Sequence, residues 1–284
     1  MHSATVATIF SVAVSASYVG AVRCWIPAHL QDRDRDDAEV VKQRLRRVTW
    51  LCAVLAVLDV AYLIKSGAVQ GVCEAASVLG LLPGLTLSES FRNDIASVAA
   101  GVQLVVTLYS GPIFLWLHEL WGLGTVRRAA HSVWEAFHQS FFSLHGFRDH
   151  IFGPLTEELV FRAIAVSLWY PLDPSSYRVM VVWLPLLFGV AHVHHAYGLY
   201  TRDHVSLGEC ILIALFQLAY TWIFGMLSVH LYLSSHHNLW CCVLVHSVCN
   251  LMGFPPITVS ANAPIAFIYY ILIAYGIYFF FTHL

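Results

Sequence analysis

Apolar residues run through this chain in long stretches separated by short polar ones. Reading for length and apolarity predicts helices near 4–22, 48–66, 97–122, 154–170, 179–197, 208–232, 239–253 and 262–282. A helix of about 20 residues reaches across a hydrocarbon core of about 30 Å, so each of these eight is read as a transmembrane span. The stretch 71–87 is also apolar, but Glu74, Gly80, Pro83 and Gly84 interrupt it. It is read as re-entrant or peripheral, a choice that sets the parity of the spans. The expected fold is therefore all-α: a polytopic membrane protein of about eight helices, forming one domain over 1–284.

Charge gives the expected orientation. With eight spans, the connections 23–47, 123–153 and 198–207 share one side and carry seven, three and one Lys/Arg, while the opposite connections hold only Arg92 and Arg178. That asymmetry assigns the first side to the cytosol. Connection 23–47 interleaves Arg33, Arg35, Arg44, Arg46 and Arg47 with Asp32, Asp34, Asp36, Asp37 and Glu39, the pattern of a solvated connector. Connection 123–153, with Arg127, Arg128, Trp134, Phe137, Phe141, Phe142 and Phe147, fits two descriptions equally: an amphipathic helix on the membrane surface or an ordinary packed loop.

Composition agrees with the membrane reading, at 58% hydrophobic and 11% charged residues. A net charge of -2 without a basic stripe excludes nucleic acid as a partner. The seven cysteines lie mostly in apolar runs with no CxxC spacing and read as buried free thiols. The first apolar run lacks a basic start and many spans follow it, so it reads as a retained anchor.

Charged residues inside spans cost about 2.5–3.5 kcal/mol each on insertion scales, and those that persist mark cavities and function. Glu157 and Glu158 lie one turn into the fourth helix, after Gly153-Pro154, near its cytosolic end. The next helix runs back, returning His192, His194 and His195 to that depth. The seventh brings His246 and Asn250, four residues apart on one face, to the same level. Glu158 and Arg162 have the i, i+4 spacing of an ion pair, which leaves Glu157 to act as a base. A glutamate and a histidine can share and deprotonate a water, while a second histidine and an amide donate to a developing oxyanion. A purely structural Glu–Arg network is the competing description. His236 and His237 fall at the opposite surface and read as solvated.

Three blocks are diagnostic: Pro154-Leu-Thr-Glu157-Glu158-Leu-Val-Phe-Arg162, Phe188-Gly-Val-Ala-His192, and His246-Ser-Val-Cys-Asn250-Leu-Met-Gly-Phe-Pro256. Together with Gln217, Tyr220, Thr221, Phe224 and Gly225, they make the chain resemble the eukaryotic type II CaaX prenyl proteases over about 150–256. The first hundred residues resemble them less. The resemblance implies an endoplasmic reticulum protease opening toward the cytosol and using no metal or other cofactor. It implies that Glu157 and His192 activate water, His246 and Asn250 form the oxyanion site, and Glu158 and Arg162 support them. It further implies that the substrates are farnesylated or geranylgeranylated CaaX proteins, such as small GTPases, that lose their last three residues within the lipid membrane.

Rival chemistries lack a required residue. His118-Glu119-Leu-Trp-Gly122 has no second histidine for H-E-x-x-H, although His192, His194 and His195 are of zinc-ligand type. Tyr109-Ser110-Gly111 is not the Gly-x-Ser-Gly of a serine rhomboid, and Gly122-Leu-Gly124-Thr125 ends in threonine where an intramembrane aspartyl protease needs Asp. A proton-coupled transporter would show inverted repeats, which are absent from the sequence. A non-catalytic scaffold of the same superfamily is the remaining alternative.

Overall fold

The computed structural model describes residues 4–24, 27–31, 33–172, 178–201 and 203–284. Asp32 and Arg202, both used in the charge reading, lie outside them. The described residues are helical almost throughout, as expected. The helices are α1 (Ala4–Arg23), α2 (Ala38–Lys65), α3 (Val72–Leu79), α4 (Phe91–Leu108), α5 (Ser110–Gly122), α6 (Val126–Phe141), α7 (Leu144–Phe147), α8 (Gly153–Glu158), α9 (Ala165–Ser167), α10 (Leu184–His192), α11 (His194–Thr201), α12 (Leu207–Ser234), α13 (Leu239–Met252) and α14 (Ala263–His283). Segments of π-helix, Arg148–Phe152 and Leu159–Ile164, join α7, α8 and α9 into one rod, and a third, Val179–Trp183, leads into α10.

The count of eight spans is not reproduced. Among the described residues five helical runs are long and apolar enough to cross a membrane, or six if a bent pair counts as one. The bent pair is the expected span 97–122, which is α4 and α5 meeting at 70°. Pro112 explains the break: it has no N–H for the carbonyl of Leu108, and its ring crowds that carbonyl. The bend is filled by α14, where a Cβ on Gly276 would stand 2.6 Å from the Thr107 carbonyl oxygen. The run 154–170 is not among them: it is short and carries Glu157, Glu158 and Arg162. Val160, Phe161, Arg162, Ala163 and Ile164 are all buried, as is Glu158, so protein surrounds these two charges. Helix α13 has only 14 residues.

One connection also differs from expectation. Helix α2 starts at Ala38, because the Asp37 carboxylate accepts from the Glu39 N–H and caps it. Much of the supposed solvated connector is thus helix. Its remainder is tied down: Asp36 pairs with Arg148 at 2.6 Å, and its carbonyl meets His145 Nε2 at 2.8 Å. The Arg148 guanidinium holds the Asp36 carboxyl below the usual carboxylate range.

Segment 71–87 is the short α3 followed by tight turns, stapled to the turn between α12 and α13. The Val78 carbonyl, freed at the helix end, accepts from Tyr232 Oη and from His237 Nδ1, both at 2.8 Å. His237 is therefore buried, contrary to expectation, while His236 is exposed as expected. Asp94 is fully buried and accepts from Gly84 N–H, Thr86 Oγ1 and Ser88 Oγ at 2.6–2.7 Å. Asn238 then donates to the Asp94 carbonyl at 2.9 Å.

One apolar core runs through the bundle, with Val14, Tyr18, Val160, Phe161, Ile164, Phe188, Val229, Tyr232 and Val245 among its members. Large apolar side chains cover the outside of α12 and α14, including Leu212 at 68% exposure and Phe281 at 74%. Such surfaces belong in hydrocarbon, and the chain is a membrane protein.

Candidate active site

The rod running from α7 to α9 carries the central carboxylates. Ser143 accepts from Gly146 N–H to start it, and Pro154 occupies the first turn of α8, where a missing N–H is harmless. Thr156 Oγ1 donates to the Phe152 carbonyl at 2.8 Å and meets Tyr18 Oη at 3.0 Å, fixing α8 against α1. The π-helical segments on either side of Glu157-Glu158 shift the side-chain register, a feature frequent at functional sites.

Glu158 is fully buried and completely engaged. Its Oε2 pairs with Arg162 Nε at 3.0 Å and accepts from Ser228 Oγ at 2.6 Å, while Oε1 accepts from His246 Nδ1 at 2.7 Å. The expected i, i+4 pair is thus present. Among the described residues Arg162 Nε, Nη1 and Nη2 have no hydrogen-bond partner, so the contact with Glu158 is an ion pair only. The guanidinium lies instead over the Phe188 ring at 4.2 Å and near Phe224 at 5.5 Å.

His246 links the two glutamates. With Nδ1 donating to Glu158, its Nε2 faces Glu157 Oε2 at 3.9 Å. The imidazole sits between Phe224 and Phe188, with ring centroids 4.7 Å and 6.2 Å away. Glu157 is the accessible partner, with 23% of its side chain exposed. His192 turns Nδ1 to the Phe188 carbonyl at 2.7 Å, leaving Nε2 as its open nitrogen, and packs edge-on to the Phe188 ring.

The remaining residues stand further out. Asn250 Nδ2 donates to the Asp149 carbonyl at 2.9 Å, so the amide rests on the rod rather than on the glutamates. His195 contacts Gln217 at 3.2 Å, and His194 turns back to the Ala191 carbonyl. His246 is the eighth of the 14 residues of α13, so the cluster lies level with the middle of that helix. The helix is short enough that its middle is only about 10 Å from either end.

Sequence reasoning missed Ser228 and the packing role of Phe188 and Phe224. A signal existed: Gln217, Thr221, Phe224 and Ser228 repeat at the spacing of one helix face within the otherwise apolar α12. Among the described residues no group of three His, Cys, Asp or Glu stands close enough together to hold a metal ion. A cavity of about 490 Å³ lined by Ser97, Gln103, His230 and Ser234 lies between α4, α12 and α14, away from this cluster.

A family model described as type II CAAX prenyl endopeptidase Rce1-like matches residues 139–252. CAAX prenyl protease 2 of Homo sapiens is 30% identical over 268 residues, which are 90% of this chain and 74% of that protein. The probable CAAX prenyl protease 2 of Schizosaccharomyces pombe is 31% identical over 211 residues, 73% of this chain and 74% of that protein. The chain belongs to the type II CAAX prenyl endopeptidase family. CAAX prenyl protease 2 of Saccharomyces cerevisiae, 29% identical over 255 residues, covers 85% of this chain and 78% of its own length. No solved structure shows a significant match. The matched part of this CAAX prenyl endopeptidase contains the whole cluster from Asp149 to Asn250, and the chain is a membrane-embedded protease.

Proposed function

We propose that the chain removes the C-terminal aaX tripeptide from farnesylated or geranylgeranylated CaaX proteins, small GTPases among them, at the endoplasmic reticulum membrane, and that Glu157 is the base. The observation that carries this reading is the contrast between the glutamates. Glu158 has every oxygen engaged by Arg162, Ser228 and His246, whereas Glu157, one residue away, is partly open.

Glu157, assisted by His192 Nε2, takes a proton from water as its oxygen attacks the carbonyl carbon of the prenylated cysteine. The carbonyl oxygen becomes an oxyanion, which accepts from His246 Nε2–H and from the second N–H of the Asn250 amide, the first remaining on Asp149. In this assignment both ring nitrogens of His246 donate, Nδ1 to Glu158 at 2.7 Å and Nε2 to the oxyanion. The proton held by Glu157 passes to the departing amine, the C–N bond breaks, and a prenylcysteine carboxylate and a tripeptide leave. The apolar outer faces of the helices offer hydrocarbon for the prenyl chain. Arg47, which donates to the Cys24 carbonyl, and Arg148, which pairs with Asp36, lie at the α1–α2 connection, and positive charge there supports a cytosolic opening.

The test is tripeptide release from a farnesylated CaaX peptide by the purified wild-type protein and Glu157→Ala, each with and without chelator. Chelator-resistant turnover that falls at least about 100-fold in Glu157→Ala, His192→Ala and His246→Ala is expected, with a milder loss for Asn250→Ala. Retained turnover in Glu157→Ala overturns the mechanism. Absence of turnover in folded wild-type protein, across several lipids and CaaX sequences, favours a scaffold.

A further inference from the structure

Helix α6 has no buried residue, yet it is far from uniformly polar. At 100° per residue, Val126, Ala130, Val133, Trp134, Phe137 and Phe141 share a stripe about 100° wide. Val126 is 87% exposed, Trp134 62% and the adjoining Phe142 66%. The rings form their own cluster, with Phe137 centroids 6.1 Å from Trp134, 5.2 Å from Phe141 and 5.8 Å from Phe142. The other side of the helix carries Arg128, His131, Glu135 and Gln139, and His131 pairs with Glu135 at 3.3 Å.

This stripe continues a membrane surface. Helix α5, the bent half of a span, exposes Trp116, Leu117 and Trp121, and the chain passes through Leu123 directly to Val126. A helix with one aromatic face, a polar opposite face and arginines at its first turn fits the boundary between headgroups and acyl chains, where Arg127 and Arg128 meet lipid phosphates. The helix is also fixed to the rod that bears Glu157. His150 Nδ1 meets the Ser140 carbonyl at 2.9 Å, Phe141 lies against the His150 ring, and Gly146 packs so closely that a Cβ there would stand 2.2 Å from the Gln139 carbonyl oxygen.

We infer that α6 is an in-plane helix whose Trp134–Phe137–Phe141 face docks into the lipid headgroup–acyl boundary and holds the Glu157 rod at a set depth below it. This docking does not depend on which residues perform the chemistry.

The experiment uses the full chain in phosphatidylcholine vesicles, with the exposed Cys24 and Cys73 changed to Ser. A fluorophore on Phe137→Cys is compared with one on Glu135→Cys, in vesicles carrying lipids brominated at different depths. Emission from position 137 is expected to fall at least about two-fold with bromines near the headgroup end of the chain, and less with bromines near its terminus. Emission from position 135 should respond to aqueous iodide and not to brominated lipid. Quenching of position 137 by iodide alone would overturn the inference in favour of water or a protein partner, and strongest quenching by terminal bromines would overturn it in favour of a spanning helix. Trp134→Cys provides the same readout if Phe137→Cys does not yield monodisperse protein.

Discussion

Removing Arg162 strands a carboxylate. In Arg162→Met, Glu158 keeps Ser228 and His246 but loses a cation 3.0 Å away in a site with 1% and 0% side-chain exposure. At an effective dielectric of about 20, that attraction is roughly 5 kcal/mol, which agrees with the roughly 3–5 kcal/mol usual for breaking a buried pair from one side. For a chain of this size, the loss corresponds to a fall in Tm on the order of 10 °C, read by thermal scanning of the detergent-solubilised protein. The double variant Glu158→Gln/Arg162→Met removes both charges, so most of the lost stability should return. Turnover should not. A Gln amide opposite His246 Nδ1 does not replace the carboxylate that accepts from Nδ1 at 2.7 Å and orients the ring, and activity on a farnesylated CaaX peptide should stay at least about 100-fold down. Recovery of stability and turnover together would refute the assignment of Glu158 to His246 and leave the pair a purely structural one. Failure of the double variant to regain stability would refute the electrostatic account of Arg162.

Ser228→Ala should lower kcat by about ten-fold or more with KM little changed, because its 2.6 Å bond orients Glu158 and not substrate, and Ser228→Thr should restore part of the rate. Steady-state kinetics on the farnesylated peptide decides this. Gly80→Ala should destabilise the fold by at least about 2 kcal/mol, since φ is +60° and a Cβ would fall 1.5 Å from the His237 carbonyl oxygen; a smaller drop in thermal stability would contradict the packing of α3. Asp36, held low by Arg148, contributes stability above its unfolded value of about 4 and loses it as pH falls through its lower folded value. Being largely exposed, the pair is worth well under about 1 kcal/mol, so Asp36→Asn should flatten only the acid end of the stability curve, as measured by thermal scans across pH.

The cluster was more legible in sequence than the spans around it. Glu158 and Arg162 could be paired from spacing alone, because i, i+4 neighbours on a helix meet whatever surrounds them. Ser228 could not, because its partner is 70 residues away and only packing of α12 on the rod brings them together. The span count failed where tertiary structure overrides hydropathy. The run 154–170 can carry Glu158 and Arg162 because neighbouring helices pack around them, and the run 97–122 is mostly apolar although Pro112 divides it. His237 looked solvated from its place in a polar turn, and the acceptor that buries it, the Val78 carbonyl, belongs to a segment whose fold the sequence left open.

The two ends of the bundle are fastened differently. At the turn between α12 and α13, Asp94, Tyr232, His237 and Asn238 commit buried donors and acceptors to one another, and parting them would leave several polar groups unsatisfied at once. At the other end, the links from Asp36 to His145 and Arg148 are exposed and individually weak. Thermal opening of the bundle is therefore expected to start at the Arg148 end, with the Asp94 end the last to part.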